Sequence, residues 1–331
     1  MACARGSLLK EIDLTKAQFL SLVEDARLLA QAHYDDDSRE RLAGKNIALV
    51  FEKSSTRTRC AFEVAAHREG AHVTYLGPSG SHLGKEESIR DTARVLGRMF
   101  DGIEFRGFSQ SSVEELAENA GVPVWNGLTD QWHPTQMLAD IMTMIDNHDG
   151  PVEEIVYSFV GDGRNNVARS LLVTGALLGM NVRIVAPREL WPPADVVDIA
   201  ETLAVDSRAR ILITDNISDG VDDADFVYTD MWVSMGESDE QWSSRVELLL
   251  PYRVTEQTMK LTGKPESRFM HCLPSVHDRS TALGQSVFDR FGLDGAEVTD
   301  DVFESPQSLV FEQAENRLHT IRAVLVEALG N

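Results

Sequence analysis

An α/β chain of two domains, each built on a parallel sheet flanked by helices, is what this sequence predicts. Three observations carry that reading. At 331 residues the chain is long enough for two domains of ordinary size. Apolar runs of strand length alternate with stretches whose apolar residues recur at helical spacing. The alternation breaks at the polar, turn-forming run Asn147-His148-Asp149-Gly150-Pro151 and then restarts. The division is therefore set at residues 1–147 and 148–308, with one long helix after them.

The first domain opens with a helix from Lys16 to about Ala32, with Thr15 placed to cap it. Lys45-Asn46-Ile47-Ala48-Leu49-Val50 has the length of a buried strand, and the apolar spacing of Cys60 to Ala66 is helical. A second strand follows at Ala71 to Leu76, which makes a βαβ unit and hence a parallel pair. The turn-rich loop from Gly77 to Lys85 holds His82 and leads into a helix over Glu86 to Leu96. Strands are expected at Ile103 to Arg106 and at Val122 to Asn126. Pro134 is placed to start a helix reaching Ile145, and it pushes His133 into extended backbone.

The second domain repeats the pattern. Ile155 to Val160 reads as a strand, Gly161 to Asn166 as a loop and Val167 to Leu178 as a helix. Further strands are expected at Val182 to Ala186, Ala209 to Ile213, Phe226 to Thr229 and Arg268 to His271. The closing helix runs from about Gln307 to Leu329 and carries Arg317.

Composition narrows the partners. A net charge of −22 and a pI near 4.7 argue against nucleic acid and anionic membranes, but not against a small anion held in a locally basic cleft. No apolar run approaches a membrane span, and Met1 to Lys10 lacks the apolar core of a signal peptide. Cys3, Cys60 and Cys272 are far apart, odd in number and without metal-ligand spacing. A reducing cytoplasm is the expected setting.

The densest chemistry lies between the first strand and the helix after it. Ser54, Ser55, Thr56 and Thr58 offer hydroxyls, Arg57 and Arg59 offer forked cations, and the helix N-terminus offers unpaired N–H groups. That combination suits an oxyanion. Two arginines two apart on a helix point roughly 200° apart, so Arg57 is expected to face the pocket and Arg59 to serve structure. Arg106 at a strand end, with His133 and Gln136 around a helix start, extends the set.

In the second domain Gly161-Asp162-Gly163 follows a strand, which raises the possibility of a nicotinamide-dependent oxidoreductase. The third glycine of that fingerprint is replaced by Asn166, and the next strand ends without an acidic residue for a ribose. An alternative set stands at strand ends: Asn166, Asp230 with Ser234 and Met235 in the loop after it, and Cys272.

Three segments, Ser55-Thr56-Arg57-Thr58-Arg59, His133-Pro134-Thr135-Gln136 and His271-Cys272-Leu273-Pro274, resemble the signatures of the ornithine carbamoyltransferases. Asp91 to Leu96 and Asp230 to Gly236 are similar to the same family, and the likeness runs from about Leu9 to Leu329. After His-Cys-Leu-Pro, Val276 stands where an aromatic is expected. The resemblance implies a helix at about 309–331 that packs back on a carbamoyl phosphate-binding first domain, and an ornithine-binding second domain. It implies that Ser55, Thr56, Arg57, Thr58 and Arg106 hold the phosphate, and that Thr58, Arg106 and His133 surround the carbonyl oxygen. Gln136, Arg317 and the Cys272–Leu273 turn would hold the carbamoyl NH₂. His82 would reach in from a neighbouring subunit, which implies a homotrimer and leaves assembly of trimers open. Asn166, Asp230, Ser234 and Met235 would bind ornithine.

The implied reaction gives citrulline and phosphate and needs no cofactor or metal. Its direction in the cell stays open. Charge growing on the carbonyl oxygen calls for Arg106, His133 and Thr58. Asp230 is assigned to orienting the substrate's α-amino group, and Cys272 to aligning the attacking amine. Closure of the two domains and of the Ser234–Gly236 loop is expected to exclude water. An aspartate-specific relative would need cations in the second domain, and a putrescine-specific one would not need grips for a carboxylate and α-amino group. A non-catalytic binding protein would have no use for Cys272 and His133 so placed.

Overall fold

The computed structural model describes residues 6–34, 39–79, 87–233 and 241–330. They form two compact units, Met1–Met142 with Ala314–Asn331, and Thr143–Gln313.

The first unit contains α1 (Lys16–Tyr34), β1 (Asn46–Phe51), α2 (Thr56–Arg68), β2 (His72–Leu76), α3 (Ile89–Met99), β3 (Gly102–Arg106), α4 (Gln110–Ala120) and β4 (Val124–Leu128). Helix α5 (Pro134–Asp146) ends just inside the second unit. The four strands pair in parallel in the order β2-β1-β3-β4. Central β1 and β3 are buried from end to end apart from Asn46, as expected of strands covered on both faces. Ala48, Val50, Ile103 and Phe105 pack with Leu96, Val113 and Leu116 from α3 and α4. Two local readings need correction. Helix α3 starts at Ile89 rather than Glu86, because Ser88 caps it by accepting Asp91 N–H at 3.1 Å. The sequence reading also missed α4, although Val113, Leu116, Ala117 and Ala120 mark its buried stripe and Gly121 ends it in a left-handed turn.

The second unit contains β5 (Val156–Val160), α6 (Asn166–Leu178), β6 (Asn181–Val185), α7 (Ala194–Ser207), β7 (Arg210–Thr214), α8 (Ile217–Val221) and β8 (Phe226–Thr229). It continues through α9 (Gln241–Leu249), α10 (Glu256–Lys260), β9 (Arg268–His271), α11 (Ala282–Phe291) and α12 (Asp300–Phe303). Its five strands are parallel in the order β7-β6-β5-β8-β9. The last helix, α13 (Val310–Leu329), rejoins the first unit from Ala314 onward. Arg322 fastens it there by donating to the fully buried Glu69 and to the Leu29 carbonyl, both at 2.9 Å. Truncating one side of such a buried pair typically costs about 3–5 kcal/mol. Among the described residues, no helix is long and apolar enough to cross a membrane.

Both strand orders reverse direction once. The chain leaves β1 for β2 on one side and returns to β3 on the other, and it leaves β5 for β6 and returns to β8. Ligands of open parallel sheets gather outside the carboxyl ends of strands at such reversals.

Candidate active site

In the first unit the reversal lies between β1 and β3. Past β1, Ser55 caps α2 by accepting Thr58 N–H at 3.3 Å, so the hydroxyl segment sits at a helix N-terminus. Arg57, on the first turn, is half-buried. Arg59 pairs with Glu63 at 2.8 Å and lies 3.9 Å over the Tyr75 ring, the structural part expected of it.

Thr58 is buried, and its Oγ1 accepts from Arg106 Nη1 at 3.0 Å and from Arg317 Nη2 at 3.1 Å. Two guanidiniums from β3 and α13 thus converge on one hydroxyl. The buried His133 precedes Pro134, the first residue of α5, and its carbonyl accepts Gln136 N–H at 3.0 Å. Burial first, then the charges of Arg317, Arg106 and Lys53, hold its imidazole well below the usual histidine range. The ring is therefore neutral and can donate an N–H without carrying charge.

One turn along α5, Gln136 Nε2 donates to Asp140 Oδ1 at 2.8 Å, and both residues are buried. A carboxylate only accepts, so Asp140 fixes the orientation of the amide. The Gln136 Oε1 is left as a buried acceptor without a hydrogen-bond partner among the described residues. Such an atom costs about 1–3 kcal/mol unless something donates to it.

Glu104 was not singled out from sequence, although a charged residue inside Ile103-Glu104-Phe105 is a signal. It is fully buried, and neither carboxyl oxygen has a hydrogen-bond partner among the described residues. Burial raises its pKa well above the usual range against the pull of Arg106 and Arg317. The space comes from a register shift after Phe105, where β4 carries the extra Gly127. A β-carbon on Gly127 would come within 1.9 Å of Glu104 Oε1.

A folded-state pKa above the unfolded one contributes stability at low pH that is lost as pH rises. Between the unfolded value of 4.5 and the raised folded value, Glu104 therefore disfavours folding by up to about 1.4 kcal/mol per pH unit. Glu104→Gln removes that titration. Its melting temperature relative to wild type is expected to improve as pH rises above 4.5 and to level off once the raised folded value is passed, as scanning calorimetry would show. A difference that stays flat with pH would mean that Glu104 is ionised in the folded chain.

In the second unit the reversal lies between β5 and β8. Asp230, just past β8, is held on three sides. Its Oδ1 accepts Met231 N–H at 2.8 Å and the Cys272 thiol at 3.3 Å, and its Oδ2 accepts Asn165 Nδ2 at 3.1 Å. Burial raises its pKa, partly countered by His271, Met231 and Cys272. Asn165 was missed because Asn166 beside it drew the attention. Asn165 is the N-cap of α6, accepting Ala168 N–H at 2.7 Å, while Asn166 begins the helix.

Cys272 and Leu273 follow β9. Leu273 has φ 59°, a left-handed conformation that costs a side-chain-bearing residue about 1–3 kcal/mol and is found where the surroundings impose it. Leu273 N–H donates to His271 Nδ1 at 2.9 Å. That bond leaves the ring proton on Nε2, which lies 3.3 Å from Glu297 Oε1. Glu297 also accepts Val276 N–H at 2.7 Å and Ser275 Oγ–H at 2.9 Å. Burial would raise its carboxyl, but the His271 and backbone contacts outweigh burial and leave it low. His82, Ser234 and Met235 lie outside the described residues.

Among the described residues, two groups of side chains each bring three metal-ligand atoms within 4.8 Å, Asp230 with His271 and Cys272, and His277 with Asp300 and Glu304. In the first group those atoms are already joined to the protein's own donors and acceptors. The loop after β5 also bears on the dinucleotide alternative. A β-carbon on Gly163 would meet the Leu190 carbonyl at 2.8 Å and Pro192 Cδ at 3.0 Å. Leu190 and Pro192 thus crowd the side of Gly163 on which a β-carbon would stand. Asp162 there is engaged by Arg164 and Arg245.

Cations gathered on Thr58 in one unit, and a carboxylate beside a thiol in the other, stand on the two parallel sheets of a group-transfer enzyme. Residues 7–146 match the carbamoyl-P binding domain of aspartate/ornithine carbamoyltransferases and residues 153–328 the Asp/Orn binding domain, and the chain belongs to that family. It is 55% identical over 326 residues to the catabolic ornithine carbamoyltransferase of Rhizobium meliloti, covering 98% of each. It is also 55% identical to the ornithine carbamoyltransferase of Actinobacillus pleuropneumoniae, covering 98% of this chain and 97% of that one. Among solved structures it is similar to the ornithine carbamoyltransferase of Pyrococcus furiosus, with a TM-score of 0.89, 38% identity and 99% of both chains covered.

Proposed function

We propose that this chain transfers the carbamoyl group of carbamoyl phosphate to the δ-amino group of L-ornithine, giving L-citrulline and phosphate. The observation that carries the reading is the convergence of Arg106 and Arg317 on the buried Thr58 Oγ1, with both guanidiniums acting on the buried, neutral His133, and a buried Gln136 Oε1 that has no hydrogen-bond partner among the described residues.

Each group answers a demand of the reaction. Ser55, Thr56, Arg57 and Thr58 bind the phosphate at the α2 N-terminus. Arg106 and His133 donate to the carbonyl oxygen, where charge grows as the amine attacks. The carbamoyl NH₂ donates to Gln136 Oε1, with Arg317 of the same unit nearby. The attacking amine must be neutral, although a free alkylammonium has a pKa near about 10. Neighbouring guanidiniums favour its deprotonation. The new C–N bond forms, the C–O bond to phosphate breaks, and the departing phosphate takes the amine proton. Asn166, Asp230, Ser234 and Met235 hold ornithine, with Asp230 on the α-amino group.

A dicarboxylate acceptor is disfavoured because the Asp230–Cys272 pair presents no cation to it. A bare diamine would leave Asp230 without an α-amino group to orient. The proposal extends to a homotrimer completed by His82 of a neighbouring subunit, to be checked by sedimentation at the mass of three chains, and to a cytoplasmic setting that keeps Cys60 and Cys272 as free thiols.

Offering carbamoyl phosphate with ornithine, putrescine or aspartate in parallel tests the reading. Citrulline from ornithine, with little product from the other two, is expected. Faster turnover of putrescine would keep the first unit's assignments and overturn the second's, and no product from any amine would end the proposal.

A further inference from the structure

Glu52 and Lys53 stand between β1 and the hydroxyl segment, and their side chains reach the loops beyond β3 and β4. Glu52 N–H donates to the Arg106 carbonyl at 2.8 Å, and its carboxylate accepts Phe108 N–H at 3.1 Å. Lys53 Nζ donates to Asp130 Oδ1 at 2.7 Å and lies 4.7 Å from the centre of the Phe108 ring. Asp130 N–H in turn donates to the Phe108 carbonyl at 2.8 Å. Three loops are stitched together at this point. One leads to Arg57, one leaves Arg106, and one leads to His133.

The pair differs from a surface brace. Exposed ion pairs contribute little to stability and leave both partners in water. The Lys53 side chain is only 13% exposed, against 59% for Asp130. Burial of the ammonium outweighs its bond to Asp130 and lowers its pKa, with Arg106 adding to the effect. The fold keeps a partly desolvated cation beside another cation, an arrangement that stability alone does not favour.

We propose that Lys53 is a positioning residue for carbamoyl transfer, which together with Asp130 and Phe108 fixes the hydroxyl segment against the loops that present Arg106 and His133. The inference rests on the reading that this unit binds carbamoyl phosphate. Lys53 acts through the loops it joins and through the field it adds near His133, not by touching the substrate.

The test is a double-mutant cycle on the full chain with Lys53→Met, Asp130→Asn and the pair. Calorimetry reads carbamoyl phosphate affinity and steady-state kinetics read both KM values. Each single change is expected to weaken carbamoyl phosphate binding by about tenfold, and the double change by no more than either alone. The KM for ornithine should stay put, and Lys53→Arg should recover most of the affinity. A Lys53→Met chain that binds as wild type does, or loses only thermal stability, would overturn the inference. A loss confined to Lys53→Met with Asp130→Asn unaffected would also overturn it, by making the ammonium a direct ligand. Wild-type protein that binds no carbamoyl phosphate would instead sink the underlying reading.

Discussion

Arg106→Met is expected to lower kcat/KM for carbamoyl transfer by about three orders of magnitude, roughly 4 kcal/mol of transition-state stabilisation. The side chain is 6% exposed, on a strand buried throughout, and its Nη1 already donates to Thr58 Oγ1. A guanidinium so placed has little left to reorganise as charge appears on the carbonyl oxygen. That is the condition under which a donor contributes most in the transition state. Arg317 remains on Thr58 and His133 remains neutral, so some activity should survive. Arg106→Lys keeps the charge but loses the fork that is proposed to serve hydroxyl and substrate together, and it should recover no more than about a tenth of the lost rate. Both kcat and the KM for carbamoyl phosphate should move, while the melting temperature shows whether the buried Glu104 tolerates losing a cationic neighbour. A folded Arg106→Met chain within tenfold of wild type would remove Arg106 from the chemistry.

Much of the frame was legible because it is written in local patterns. The apolar run before Phe51 and the cap-and-helix spacing after Ser55 specify a strand, a turn and a helix without outside information. Pro134 marks the start of α5 in the same way. What local pattern could not supply is the meeting of side chains distant in the chain. Thr58 and Arg317 are 259 residues apart and meet only because α13 returns to the first unit. The assignment of Arg317 therefore came from resemblance rather than spacing. Asn165 was overlooked in favour of Asn166 because the choice depends on which of the two caps α6, a matter of one residue's register. Glu104 shows the reverse case. Its oddity was visible in an apolar strand, but whether a lone acid there is buried or exposed depends on helix cover and on the bulge at Gly127.

Asp230→Asn tests the acceptor side of the proposal and should raise the KM for ornithine about 100-fold, near 2.8 kcal/mol. Two losses combine. The negative charge that would meet the α-ammonium disappears, and so does an acceptor that the fold already uses. Asp230 Oδ1 serves Met231 N–H and the Cys272 thiol, so the new amide must keep its oxygen on that side. Its NH₂ then faces Asn165 Nδ2, donor against donor. Asn165 cannot turn its own oxygen toward it without giving up the α6 cap at Ala168 N–H. Thr58, Arg106, His133 and Gln136, the groups proposed to bind carbamoyl phosphate, belong to the other unit, so affinity for that substrate should hold within about twofold. Putrescine has no α-amino group, so its weak turnover should fall far less, and the preference for ornithine should shrink with it. Calorimetry with carbamoyl phosphate and kinetics with both amines separate these outcomes. Equal loss for carbamoyl phosphate and ornithine would make Asp230 part of the framework around Asn165 and Cys272, and the proposed ornithine recognition would then rest with Asn166, Ser234 and Met235.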